Sequence, residues 1–215
     1  MRVIGIISLA TVIIISSAWI LHSYKTSKPA TFHNYPVNAT RSKTIAEYRL
    51  KKLQSKANEA RSFIKDKGYN KKYCFMIDMS IMSGAKRFYV YNLAEDRIYK
   101  SGLVTHGRCN EYWLNGRKYD NTVGSGCTSL GKYKIGKAYH GRFGLAYKLH
   151  GLDASNNNAY KRYVVMHAHE CVPEEEVVKE ICQSDGCPTV SPGFLKELDI
   201  ILKSSSKPIL LWIYE

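Results

Sequence analysis

Phe88-Tyr89-Val90-Tyr91-Asn92-Leu93-Ala94-Glu95-Asp96-Arg97-Ile98-Tyr99-Lys100 is the stretch that sets the fold class. Two runs rich in β-branched and aromatic residues, Phe88 to Leu93 and Arg97 to Thr105, flank Asn92-Leu93-Ala94-Glu95-Asp96, which predicts a hairpin turn between two strands. Similar runs at Phe75 to Met79, Tyr163 to His167 and Ile209 to Tyr214 predict three more strands. Glycines from Gly102 to Gly151 punctuate the middle of the chain, a density that favours turns over helices. Two helices are expected among these elements, Pro173 to Ile181 and Pro192 to Leu202, each opened by a proline suited to a first helical turn. The expectation is a mainly β domain with short helical insertions, without internal repeats.

Outward from this core, residues 44–67 change period. Ile45, Tyr48, Leu53, Ala57, Ala60 and Ile64 recur at three- and four-residue steps, which predicts an amphipathic helix with a lysine-rich outer face. Thr44 with Glu47 has the pattern of a capping box, and Gly68 is placed to end the helix. Residues 23–42, with Pro29 and Pro36 and no period, read as a linker. Val3 to Leu21 is an uncharged run of 19 residues, about 28 Å as a helix, against a hydrocarbon core of roughly 30 Å. Residues 1–22 therefore read as an N-terminal hydrophobic helix, either a membrane anchor or a signal peptide, with Ser16 and Ala18 offering a small-x-small cleavage pair. Basic Lys25, Lys28 and Arg41 after the run oppose outward translocation, but length, purity and terminal position favour export. The division is thus residues 1–22, linker 23–42, helical segment 43–72 and a β-rich domain over 73–215.

Charge narrows the function classes. The 215 residues carry 32 Lys and Arg against 18 Asp and Glu, net +14, with 45% apolar and 12% aromatic content. That apolar share excludes a disordered tail protein. Residues 1–72 hold 14 basic and 3 acidic side chains, whereas residues 73–215 hold 18 and 15. The globular part is nearly neutral, so a nucleic-acid partner is not expected, and a basic wall-binding or nucleic-acid-binding protein is the non-enzymatic alternative.

Chemistry gathers near the C-terminal end. Cys187 lies in Gln183-Ser184-Asp185-Gly186-Cys187-Pro188, where Gly186 permits an unusual backbone angle and Pro188 stiffens the exit. A nucleophile on such a turn is presented beside its own backbone amides, which can stabilise an oxyanion. A thiol needs a nearby base or cation to act at neutral pH. Tyr163-Val164-Val165-Met166-His167 reads as a strand ending on a histidine 20 residues before Cys187, and His169 is the alternative base. His167 and His169 would share one face of an extended strand, yet no further ligand pattern completes a zinc set, so no metal and no cofactor are expected.

These residues resemble the bacterial L,D-transpeptidases, the YkuD-like catalytic domain, and among them the branch with proline after the nucleophile. The resemblance covers roughly residues 73–215. It rests on the collinear series Val104-Thr105-His106-Gly107, Gly124-Ser125-Gly126-Cys127-Thr128-Ser129-Leu130-Gly131, Tyr139-His140-Gly141-Arg142-Phe143-Gly144, Leu149-His150-Gly151-Leu152-Asp153, Arg162-Tyr163-Val164-Val165-Met166-His167-Ala168 and Ser184-Asp185-Gly186-Cys187-Pro188. Asp185 stands where the commoner pattern has histidine, and Ala168 where it has glycine.

The resemblance implies a β-sandwich or barrel-like fold. It also implies a Cys187 nucleophile, His167 as base, Gly186 beside the oxyanion site, Ser184 on the substrate side, and His106, Ser125 and Arg162 either on the substrate side or in a structural role supporting the site. The implied partner is a peptidoglycan tetrapeptide stem, acylated onto the cysteine and passed to a second stem amine or a wall partner. With water as acceptor the same pair would give an L,D-carboxypeptidase or cysteine peptidase. The place of action would be the cell envelope, periplasmic or otherwise extracytoplasmic, with the membrane a partner through residues 3–21 if these are kept. With Cys187 kept as a thiol, bridges are expected at Cys171 with Cys182 and at Cys109 with Cys127, leaving Cys74 as a buried apolar residue in a strand.

Overall fold

Apolar residues alternate along Tyr73–Asp78 (β1) and Leu210–Tyr214 (β8) so that both faces of each strand are buried. Phe75, Ile77, Leu211 and Ile213 face one core, while Cys74, Met76, Leu210, Trp212 and Tyr214 face a second. Such strands belong at the centre of a sheet covered on two sides. The computed structural model describes residues 39–215, with side chains from residue 43. In chain order the remaining elements are α1 (Ala39–Ile64), β2 (Phe88–Asn92), β3 (Arg97–Gly102), β4 (Gly131–Gly141), β5 (Gly144–Gly151), β6 (Val165–Ala168), β7 (Thr189–Val190) and α2 (Pro192–Lys203). The chain divides after Ile45: the first unit contributes the opening turns of α1, and the second, Ala46–Glu215, holds the rest of α1 and all the strands. The hydrophobic run Val3 to Leu21 lies outside the described residues, as does the linker up to residue 38. Among the described residues, no helix is long and apolar enough to cross a membrane.

The strands form one mixed sheet in the order β3-β2-β1-β8-β4-β5-β6-β7. Pairs β1/β8 and β6/β7 are parallel and the others antiparallel. The expected mainly β, sandwich or barrel-like fold takes the form of this single mixed sheet. The chain continuing from β3 crosses to the far edge, where Val104 bridges Val190 and Thr105 N–H donates to Thr189 O at 2.9 Å, so the single sheet turns back on itself. Helix α2 fills the concave side with Phe194, Leu195, Leu198 and Ile201. Ser191 caps it, accepting from Phe194 N–H, and Glu174 accepts from Gly193 N–H at 2.7 Å, where a carboxylate is favoured by the helix dipole.

The opposite face is covered by α1 through Leu53, Ala57, Ala60 and Ile64. The helix starts at Ala39, ahead of the expected Thr44, so Thr44 and Glu47 are interior residues and not a capping box. Ile45 and Tyr48, expected on the packing face, are exposed. Gly68 follows the helix at φ 69°, the left-handed conformation that glycine adopts without cost.

The β2–β3 hairpin forms as expected. Asn92 Oδ1 accepts from the amides of Ala94 and Glu95, fixing the turn. The glycine-rich middle, by contrast, contains the two long strands β4 and β5, which the density of turn residues concealed. There glycine serves close approach: a Cβ on Gly136 would lie 2.8 Å from His150 Nε2 across the pair, at a break in register between Ile135 and Ala138. The expected helix Pro173 to Ile181 is absent. Its polar groups are committed elsewhere: Glu174 caps α2, Glu176 accepts from Lys86 N–H, Glu180 accepts from Ser83 N–H, and Val177 N–H donates to Gly84 O.

Candidate active site

Strand β7 is two residues long, begins two residues after Cys187 and pairs in parallel with β6, matching Thr189 to His167. This register delivers the Cys187 turn to the end of the histidine strand. Gly186 turns the chain at φ 103°, and a Cβ there would lie 2.5 Å from Cys127 O, so only glycine fits. Ser184 Oγ donates to Cys187 O at 2.7 Å and accepts from Gly186 N–H at 3.2 Å, while Thr105 Oγ1 donates to Cys187 O at 3.2 Å. Among the described residues the Cys187 amide has no acceptor.

Cys187 is a free thiol. Its Sγ accepts from Val165 N–H at 3.5 Å and lies 3.9 Å from Tyr163 O. Burial raises its pKa, opposed by the Val165 amide and by Arg162, with Asp185 adding to the rise. His167 is 4% exposed. Its Nδ1 is 3.0 Å from Ala168 O, and since a carbonyl only accepts, Nδ1 carries the proton. Nε2 therefore presents a lone pair, to which Thr189 Oγ1 donates at 3.1 Å. Burial lowers the His167 pKa, against the Ala168 carbonyl, and His169 lowers it further, which disfavours the imidazolium. Phe143, at the tip of the β4–β5 hairpin, stacks on this ring with centroids 4.5 Å apart.

Cys187, His167, His169 and Ser184 line one cavity of about 250 Å³ together with Phe143, Thr105 and Thr189. Thiol and imidazole thus share a space, although their hydrogen-bond partners are Val165 and Tyr163 for the sulfur and Thr189 for Nε2. His169 is exposed, and its Nδ1 accepts from Cys171 N–H at 3.1 Å. Arg108 pairs with Asp185 at 2.7 Å at the exposed rim.

The other expected substrate-side residues stand behind the cavity wall. Arg162 donates to Asp120 O, Ser129 Oγ, Ser125 Oγ and Cys127 O, and lies 3.2 Å from where a Gly186 Cβ would be, so it braces the turn from beneath. Ser125 receives one of these bonds. His106 is buried against the Arg87 and Arg117 guanidiniums, with its carbonyl accepting from Ser184 N–H at 2.9 Å. Phe143, Thr105 and Thr189 were not singled out from sequence as site residues. Phe143 and Thr105 lie inside the motif series, but an aromatic next to a glycine or a threonine after a valine carries no signal of its own.

Two disulfides flank the site, Cys109–Cys127 against the Gly186 turn and Cys171–Cys182 at the cavity edge, as expected. Cys74 is buried in β1, and burial raises its pKa. Among the described residues, no three His, Cys, Asp or Glu side chains gather as a metal site.

A family model described as the L,D-transpeptidase catalytic domain matches residues 45–214. No curated protein matches the chain. Among solved structures, the L,D-transpeptidase of Xylanimonas cellulosilytica is 15% identical with a TM-score of 0.38, over 67% of this chain and 61% of that one. The helical cell shape determining protein Pgp2 of Campylobacter jejuni is 14% identical with a TM-score of 0.41, over 75% and 56%. An L,D-transpeptidase of Mycobacterium smegmatis is 10% identical with a TM-score of 0.39, over 66% and 58%. The chain spans less than two thirds of the length of each.

Proposed function

The chain belongs to the L,D-transpeptidase catalytic domain family, and on that premise we propose that it transfers an acyl group from a peptidoglycan stem peptide through a thioester on Cys187, with His167 as base. The observation that carries this reading is the β6/β7 register, which sets around one cavity a free thiol and an imidazole whose unprotonated nitrogen, Nε2, is bonded by Thr189 Oγ1.

In the first half-reaction, Cys187 S–H gives its proton to His167 Nε2 as Thr189 Oγ1 gives way, and the sulfur adds to the carbonyl carbon of the third stem residue. The oxyanion is received by the Cys187 amide, held beside Gly186. The C–N bond then breaks, the departing D-alanine takes the proton from His167, and the thioester remains. In the second half-reaction an amine of another stem attacks, passes a proton to His167, and the sulfur leaves to recover it as a thiol. Water in place of the amine would give hydrolysis at the same atoms. No cofactor is needed. His169, whose Nδ1 is engaged by a backbone amide, is assigned no proton transfer. Ser184 and Thr105 hold the Cys187 carbonyl, and Arg162, Ser125 and His106 position the turn.

The two disulfides support an oxidising compartment, and we place the activity in the cell envelope outside the cytoplasm. Incubation with a disaccharide tetrapeptide, followed by separation of the products, tests the reading. Cross-linked dimer or released tripeptide is the expected result, in proportions that report the acceptor. An unchanged tetrapeptide at enzyme-equivalent concentrations would contradict it.

A further inference from the structure

Away from the thiol, the sheet carries a groove that the acyl-transfer mechanism does not use. It is a cavity of about 1010 Å³ between β4, β5 and the α2–β8 connection, above the 300–1,000 Å³ typical of small-molecule sites. Five lysines line it, Lys134, Lys137, Lys148, Lys203 and Lys207. Lys203 is paired with Asp199. For the other four, no carboxylate lies within ion-pair distance among the described residues.

This concentration stands out in a domain whose charges are nearly balanced, 18 basic against 15 acidic over residues 73–215. A concave wall of like charges focuses a positive potential and recruits anions. The imidazole of His150, on the same wall, reports that field: burial lowers its pKa, and Lys134 and Lys148 lower it further.

The lining is also aromatic. His150 and Tyr160 stack with centroids 5.3 Å apart and ring planes 15° apart, and Lys148 Nζ lies over both Tyr139 and Tyr160. Flat, partly exposed rings offer a platform for sugar faces, which a simple polyphosphate chain would not use. A smaller recess lined by Tyr139, Lys148, Tyr160, Tyr163 and Val165 continues from the groove, and Val165 N–H donates to Cys187 Sγ. The groove therefore leads to the side of the thiol turn formed by residues 163–165.

We infer that this groove binds a carboxylate-bearing glycopeptide strand of the wall, its sugars on the tyrosine and histidine rings and its peptide carboxylates on the lysines. The inference rests on the peptidoglycan reading above and adds to it a polymer-binding surface separate from the reacting atoms. It makes the protein processive toward, or retained on, polymer, while leaving reaction with small acylating agents unaffected.

The test compares the Cys187→Ala chain with the same chain carrying Lys134→Gln, Lys137→Gln and Lys207→Gln. Binding of soluble glycan fragments that keep their stem peptides is followed by titration. The expected result is about tenfold weaker binding in the triple variant and progressive weakening with salt for the parent. Fragments stripped of their stems should bind the parent weakly. In a Cys187 background, the three lysine changes should leave the rate of acylation by a carbapenem unchanged. Equal affinity of the parent and the triple variant would overturn the inference, as would equally tight binding of inorganic polyphosphate. Lysine-dependent binding by a chain that no carbapenem acylates would uphold the groove and remove the acyl-transfer reading instead.

Discussion

Thr189 Oγ1 stands 3.1 Å from His167 Nε2, at the point where β7 pairs with β6. In the resting protein a hydroxyl thus occupies the lone pair that the thiol must use. Thr189 is 3% exposed and its hydroxyl also lies 3.4 Å from Cys187 O, so one side chain touches the proposed base and the backbone carbonyl of the residue that carries the proposed nucleophile.

Because this hydroxyl holds the plane of the His167 ring until the thiol replaces it at Nε2, Thr189→Val, which keeps the shape and removes the hydrogen bond, should slow acylation of Cys187 by about tenfold. The loss in Tm should stay within about 4 °C, the change expected for one hydrogen bond of ~1 kcal/mol in a domain this size. Thr189→Ser should recover most of the rate. Stopped-flow acylation with thermal melts checks this, and an unchanged rate in the valine variant would leave Thr189 without a role.

His106 predicts a pH dependence of stability. Burial, with Arg117 and Arg87 beside it, pushes its pKa down to about 3 from an ordinary value of 6.5. As pH falls below 6.5 the unfolded chain takes up a proton that the folded chain refuses until about 3, so stability is present above 6.5 and is lost across that window. One such proton corresponds to a slope of about 1.4 kcal/mol per pH unit. Glu180 extends the loss: burial raises its pKa, but hydrogen bonds from Ser83 and Arg117 outweigh this and hold it at about 2. Denaturant melts from pH 7 to 4 should show the slope, and His106→Gln should flatten it. An identical slope in the variant would disprove the assignment.

Gly186→Ala should be costly in two ways. The residue sits at φ 103°, and a Cβ would meet the carbonyl of Cys127 rather than a movable side chain. The expected loss is about 2–4 kcal/mol, together with displacement of the thiol turn. Chemical denaturation and alkylation of Cys187 by iodoacetamide read the two effects separately. A variant as stable and as reactive as wild type would contradict the packing described.

The strands at both ends of the domain were legible because their residues alternate or cluster without ambiguity, as in Phe75 to Met79 and Ile209 to Tyr214. Strands β4 and β5 were not, because Gly131, Gly136, Gly141, Gly144 and Gly151 read locally as turns, whereas Gly136 admits His150 across the strand pair and Gly131 and Gly151 admit the loop residue Asn156. The stretch Pro173 to Ile181 shows the opposite failure: a proline and acidic residues look like a helix start until their carboxylates are claimed by Ser83, Lys86 and Gly193. Cys187, His167 and Ser184 were legible through motif order and do share a cavity. Arg162, Ser125 and His106 were legible as residues of the motifs, but spacing carries no information on whether a side chain faces the cavity or supports it from behind. Phe143 and Thr189 depend on a hairpin tip and a strand register that only the folded chain supplies.

In the proposed reaction Cys187 and His167 act together on an acyl group. Intact mass after incubation with a carbapenem, a strained cyclic amide, tests it most directly. The expected result is one acyl adduct on the wild type, none on Cys187→Ala, a rate reduced by about 10²-fold or more in His167→Ala, and a rate close to wild type in His169→Ala. An adduct retained by Cys187→Ala, or a rate that depends on His169 and not on His167, would contradict it.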